Sequence, residues 1–205
     1  MSARLLRMLR TDGRSVAARK PAQSFDLDDD PATHDAVVLA GASGEQPDVV
    51  CPPHRWYQRA MAPPMAAEVL GRPRFEIGDL VAELTWPAGP IDVGLVETAG
   101  GVRSPLAADG DGVSLTTALE PDLVVLVADA GLGTVNAVQL SVDALRQVPA
   151  LLVVVLNRFD LATELHVLNR DWLRGPGGFD LVCLPGEDEA LVDFVRPHPA
   201  TPNGP

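Results

Sequence analysis

The sequence predicts a doubly wound α/β domain with a mostly parallel sheet. Three continuous apolar runs, Val93 to Val96, Leu123 to Ala128 and Leu151 to Leu156, are rich in β-branched residues and do not alternate with polar ones. Runs of that kind suit parallel strands covered on both faces. The segments between them, Val135 to Val148 above all, have helical periodicity and suit crossover helices. A chain of 205 residues is long enough to bury one sizeable core, and residues 1 to 197 are expected to form a single domain.

Taken in order, Ala3 to Leu9 places Leu5, Leu6 and Leu9 on one helical face, and Thr11-Asp12-Gly13 stops the helix before an extended run from Ser15 to Arg19. Asp26 to Pro31 reads as an acidic loop, and His34 to Ala40 as a short helix. The segment from Pro47 to Arg74 is expected to be irregular, with brief helix at Met65 to Leu70, because each of its prolines removes an amide donor and fixes φ. Phe75 to Leu84 has helix-compatible spacing. Phe179 to Leu184 reads as a weak last strand before an acidic helix, Glu187 to Val195. The Pro-rich end, residues 198 to 205, is expected to be a disordered tail.

Several classes of function are disfavoured at this level. A formal charge of −12 repels nucleic-acid backbones and anionic membranes. The two cysteines, Cys51 and Cys183, have no metal-type spacing and read as reduced thiols of a cytoplasmic protein. No apolar run reaches the roughly 18 residues of a membrane span, and the N-terminus has no signal-peptide pattern.

In doubly wound folds ligands collect beyond the carboxyl ends of the strands. There the sequence places Glu97 with Gly100 and Gly101, then Asp129 with Gly131 and Gly133, then Asn157, then Pro185 and Gly186. Each has an ordinary structural reading: a helix cap, a turn, an ion pair. Jointly they suit a polyanion with a divalent cation, since glycine amides approach phosphate oxygens and carboxylates hold Mg²⁺.

The stretches RSVAARKPAQS, VETAGG, ADAGLGTVNAV and VVVLN, in this order, resemble the dethiobiotin synthetase family of P-loop ATPases. The resemblance implies ATP and Mg²⁺ as cofactors. It also implies carboxylation and ring closure of 7,8-diaminononanoate, with CO₂ or bicarbonate, in biotin biosynthesis, and a cytoplasmic homodimer. It casts Lys20 and Ser24 as catalytic residues, with Ser24 also at the substrate. Asp35 and Glu97 become metal ligands, with Asp30 competing for the place of Asp35. The nucleotide falls to Glu97, Gly100, Gly101, Asn157, Pro185 and Gly186. Leu132, Gly133, Thr134, Val135 and Asn136 receive the substrate carboxylate, at a helix N-terminus that favours anions.

One departure is large. The family's first strand and Gly-x-x-x-x-Gly-Lys-Thr loop have no counterpart in the 205 residues. The expectation is a P-loop NTPase-like fold lacking that unit and inactive as given, either because the chain begins late or because the phosphate cradle is lost. The alternatives are a non-catalytic partner protein of the same fold, a cobalamin-pathway synthetase and a ParA-like ATPase.

Overall fold

The computed structural model describes residues 1–195; the expected tail lies outside the described residues. Helix α1 (Ser2–Thr11) buries Leu5, Leu6 and Leu9 and ends before Gly13, whose φ of 77° reverses the chain into β1 (Val16–Arg19). After β2 (Gln23–Ser24) come a 3-10 turn, Pro31–Thr33, and α2 (Asp35–Ser43), which starts one residue later than expected because His34 is its N-cap. The Pro-rich stretch is more ordered than the sequence suggested. It holds α3 (Pro47–Val50), a 3-10 turn at Pro53–Arg55, β3 (Trp56–Tyr57) and α4 (Pro63–Val69). Its prolines open these elements instead of breaking them, since proline suits the first turn of a helix, where its missing N–H has no partner to lose.

Helix α5 (Ile77–Glu83) is fixed by a capping box of Glu76 and Asp79, and leads to β4 (Val93–Val96). A small antiparallel pair, β5 (Pro105–Ala107) and β6 (Gly110–Asp111), and helix α6 (Gly112–Leu119) follow. The last third alternates β7 (Leu123–Asp129), α7 (Thr134–Leu145), β8 (Leu151–Asn157), α8 (Glu164–Arg174), β9 (Leu181–Cys183) and α9 (Asp188–Val195). Asp129 and Asn157 thus close their strands instead of following them.

The α/β, mostly parallel architecture is present, but the sheet is divided. β1 pairs with β4 in one parallel ribbon, and β7, β8 and β9 form a separate parallel sheet. The two rest on one core: Val93 and Leu95 from β4, Leu123 and Val125 from β7, and Val153 and Val155 from β8 gather over α1 and α9. Val102, just past β4, lies in the same cluster as Val124 and Leu126 of β7. Among the described residues no ladder joins β4 to β7, so each keeps an unpaired edge.

This corrects the expectation that all three apolar runs are covered on both faces. Only β8, with a neighbour on each side, buries Val153 to Leu156 completely. Strands β4 and β7 are only partly buried, and Val127 is 42% exposed. Side chains are buried by what packs on each face of a strand, since β1 and β9 also have a single neighbour and are largely buried; the missing neighbour of β4 and β7 leaves backbone groups unpaired along one edge of each.

Candidate functional site

The division of the sheet places the candidate residues in two groups, one at the ends of β1 and β4 and the other at the ends of β7, β8 and β9. The first is built on the β1–β4 ribbon. The Lys20 amide donates to Val50 O at 2.8 Å and the Glu97 amide to Arg19 O at 2.9 Å, so both residues are anchored where the two strands end. The Lys20 ammonium then meets Asp35 Oδ2 at 2.7 Å, Glu97 Oε1 at 3.0 Å and Thr98 O at 3.1 Å. Burial works against this charge, but Glu97 and Asp35 outweigh it and hold the Lys20 pKa above the usual lysine range.

Asp35 reaches Lys20 because α2 begins there, and that start has an unusual cap. His34 gives no side-chain cap; Gln23 Oε1, from β2, accepts the Ala36 amide at 2.9 Å. Gln23 is buried, and its Nε2 has no hydrogen-bond partner among the described residues. The sequence reading missed Gln23; its place between Lys20 and Ser24 in KPAQS was the available signal. Asp30, the competitor for Asp35, accepts the Ala32 amide at 2.9 Å and caps the 3-10 turn. Ser24 is near in sequence, but its hydroxyl donates to Met61 O at 2.7 Å and ties β2 to the approach to α4.

Beyond Glu97 the chain turns at Gly100, with φ of 75°. The Gly101 amide donates to Ser104 Oγ at 3.0 Å, so this glycine loop satisfies one of its own donors.

The second group sits at the ends of β7, β8 and β9. Asp129 and Asn157 face each other in the last rung of the β7–β8 ladder. The Asp129 carboxylate accepts the Gly131 amide at 3.1 Å and pairs with Arg158; the amide bond and the guanidinium hold its pKa below the usual carboxylate value. Phe159 N donates to Leu184 O at 2.8 Å, which brings Asn157 alongside Pro185 and Gly186. The Gly186 amide faces Asp188 at 3.3 Å.

Helix α7 opens on Gly133, with φ of 89°, and no side chain caps it. Leu132, at 93% exposure, stands out from the loop. Thr134 is 4% exposed, and its Oγ1 is buried without a hydrogen-bond partner among the described residues. Both line a cavity of about 270 Å³ with Asp129, Gly133, Ala137, Val138 and Ser141, against the partly exposed β7 residues Leu126 to Ala128. Val135 and Asn136 belong to the first turn of the same helix.

Both cysteines are free and buried, and burial pushes Cys51 up to about 12 and Cys183 up to about 11. No described helix is long and apolar enough to cross a membrane.

Parallel strands alternating with helices, whose ends present a lysine between two carboxylates and an uncapped helix N-terminus, are consistent with an α/β domain of the P-loop NTPase type. A family model described as an AAA domain matches residues 1–183. The chain belongs to the dethiobiotin synthetase family. It is 34% identical over 189 residues to the ATP-dependent dethiobiotin synthetase of Haloferax mediterranei, covering 90% of this chain and 77% of that protein. It is 36% identical over 137 residues to the synthetase of Anaeromyxobacter sp. strain Fw109-5, covering 67% of this chain and 60% of the relative. A third, from Anaeromyxobacter sp. strain K, is 35% identical over 159 residues, with 77% and 70% covered.

Proposed function

We propose that this chain carries the lysine–carboxylate half and the anion-binding helix of an ATP-dependent dethiobiotin synthetase, which carboxylates 7,8-diaminononanoate and closes the ring. The observation that supports this reading most directly is Lys20, held between Asp35 and Glu97 at the joint end of β1 and β4. A cation so placed can stabilise charge that develops on a carbamate or a transferring phosphoryl group. Asp35 and Glu97 suit Mg²⁺ as well, since a single cationic centre already touches both. Mg²⁺ bound there would supply charge neutralisation for phosphate oxygens.

The α7 N-terminus and the Thr134 hydroxyl, which has no hydrogen-bond partner among the described residues, suit the substrate carboxylate. Asn157 can donate and accept in one plane, as reading an adenine edge requires, with Pro185 and Gly186 flanking it. Ser24 enters this reading as an acceptor for a substrate amine, since its hydroxyl donates to Met61 O and its lone pairs remain available.

The phosphate cradle is the part these residues do not provide. The unpaired edges of β4 and β7 fit one further parallel strand, and a glycine-rich loop following that strand would emerge between the two groups of site residues. We therefore assign negligible turnover to the 205 residues alone. Fusing a family strand-and-loop segment to the N-terminus is expected to confer both ATP binding and phosphate release.

Isothermal titration with ATP and Mg²⁺, with and without that segment, tests this. Phosphate release dependent on diaminononanoate and bicarbonate from the extended chain supports the reading, and micromolar nucleotide binding without any turnover overturns it in favour of a non-catalytic partner. The same reading implies a cytoplasmic homodimer, and a monodisperse monomer by light scattering would refute the dimer.

A further inference from the structure

Lys20 is fully committed. A lysine ammonium has three N–H donors and accepts nothing. Here the three point at Asp35 Oδ2, Glu97 Oε1 and Thr98 O, at 2.7, 3.0 and 3.1 Å. No donor remains for an incoming anion while these contacts hold, and both carboxylates already have a cation.

The two sides of the cluster also differ in their access to water. The Lys20 side chain is 4% exposed and enters from the protein, whereas Asp35 is 51% and Glu97 29% exposed. A hydrated ion arriving from solvent meets the carboxylates first. Asp35 cannot swing away freely to meet it, because Gln23 pins the next amide at the start of α2. The mobile partner is the lysine, with its flexible four-carbon stem.

We propose that Lys20 is the resident counter-ion of this site, occupying the position of a divalent cation, and that metal binding to Asp35 and Glu97 displaces its ammonium and frees it to receive an anionic group. Metal binding and lysine release are then one exchange: the divalent ion takes the two carboxylates, and the ammonium keeps only Thr98 O. This rests on the assignment of Asp35 and Glu97 made above, but makes a claim about the empty protein that involves no nucleotide and no turnover.

The test is Mn²⁺ binding to the nucleotide-free chain by electron paramagnetic resonance, comparing the wild type with Lys20→Met and Lys20→Arg. If the lysine occupies the carboxylates about nine-tenths of the time, its removal tightens Mn²⁺ binding about tenfold. Lys20→Arg keeps a cation in place and is expected to bind no more tightly than the wild type. Glu97→Gln in the Lys20→Met background should abolish the gain.

Thermal unfolding gives a second measurement, since two uncompensated carboxylates remain in Lys20→Met. Its melting temperature is expected to fall and to be recovered by millimolar Mg²⁺, with a much smaller Mg²⁺ effect on the wild type. Equal or weaker Mn²⁺ binding by Lys20→Met, or a loss of stability that Mg²⁺ does not recover, overturns the proposal. Neither result depends on whether the extended chain makes dethiobiotin, so failure here and failure of the functional reading are separable.

Discussion

Replacing Thr134 with valine keeps the shape of the side chain and removes only the hydroxyl. Thr134 is 4% exposed, its Oγ1 is buried without a partner among the described residues, and it lines the cavity of about 270 Å³ at the start of α7. An unmade hydrogen bond on a buried hydroxyl costs about 1–3 kcal/mol. Valine and threonine have similar helix propensities, so the backbone term is small. Taking the lower end of that range, Thr134→Val should stabilise the fold by about 1 kcal/mol. For a chain of this size that raises the melting temperature by about 2–4 °C.

The same substitution should weaken binding of the substrate carboxylate, because a hydrogen bond to a charged group contributes about 1.5–3 kcal/mol, or roughly tenfold or more. Differential scanning calorimetry of the chain alone measures the first effect, and titration with diaminononanoate the second. A fall in melting temperature would refute the reasoning, since it would mean that the hydroxyl is satisfied in the native state. A gain in stability with unchanged carboxylate binding would remove Thr134 from the site.

Three further outcomes follow from the geometry. In hydrogen exchange, the amides of Val153 to Leu156, on a strand paired on both sides, should be among the slowest. The amides on the unpaired edges of β4 and β7 should exchange with little protection, and uniform protection of all three strands would show that these edges are paired in solution. Gly100→Ala, at φ of 75° with a Cβ 2.8 Å from Ser104, should cost roughly 1–2 kcal/mol in urea unfolding. Gly101→Ala, whose nearest neighbour is 3.8 Å away, should stay within about 0.5 kcal/mol, so equal costs would count against the turn as described. The Asp129 carboxyl, with a depressed folded pKa, contributes stability that is present above the ordinary Asp value and is lost as pH falls through the folded one. Arg158→Ala should move its NMR titration only part of the way back, because the Gly131 amide remains; a complete return would assign the whole shift to Arg158.

Much of this was legible in local pattern. Val93 to Val96 became β4 without change, and β7 and β8 each gained one residue, because a continuous β-branched run has little alternative to a strand. The family resemblance rests on short stretches whose backbone chemistry is local, such as the glycines at positive φ. What local pattern cannot carry is partnership. Gln23 caps a helix that begins 12 residues later, Asp129 finds Arg158 only once β7 and β8 are in register, and the Gly101 amide is filled by Ser104.

The apolar runs by themselves determined that strands β4, β7 and β8 exist and run through one core, because burying β-branched side chains favours that state whatever lies alongside. Only the tertiary structure decided which of their edges are paired. Ladder hydrogen bonds depend on a neighbour contributed from elsewhere in the chain, and that is why β8 is paired on both edges while β4 and β7 are each paired on one. The same holds for the charges: Lys20, Asp35 and Glu97 are three separate entries in composition until the ends of β1, β4 and α2 bring one ammonium between two carboxylates.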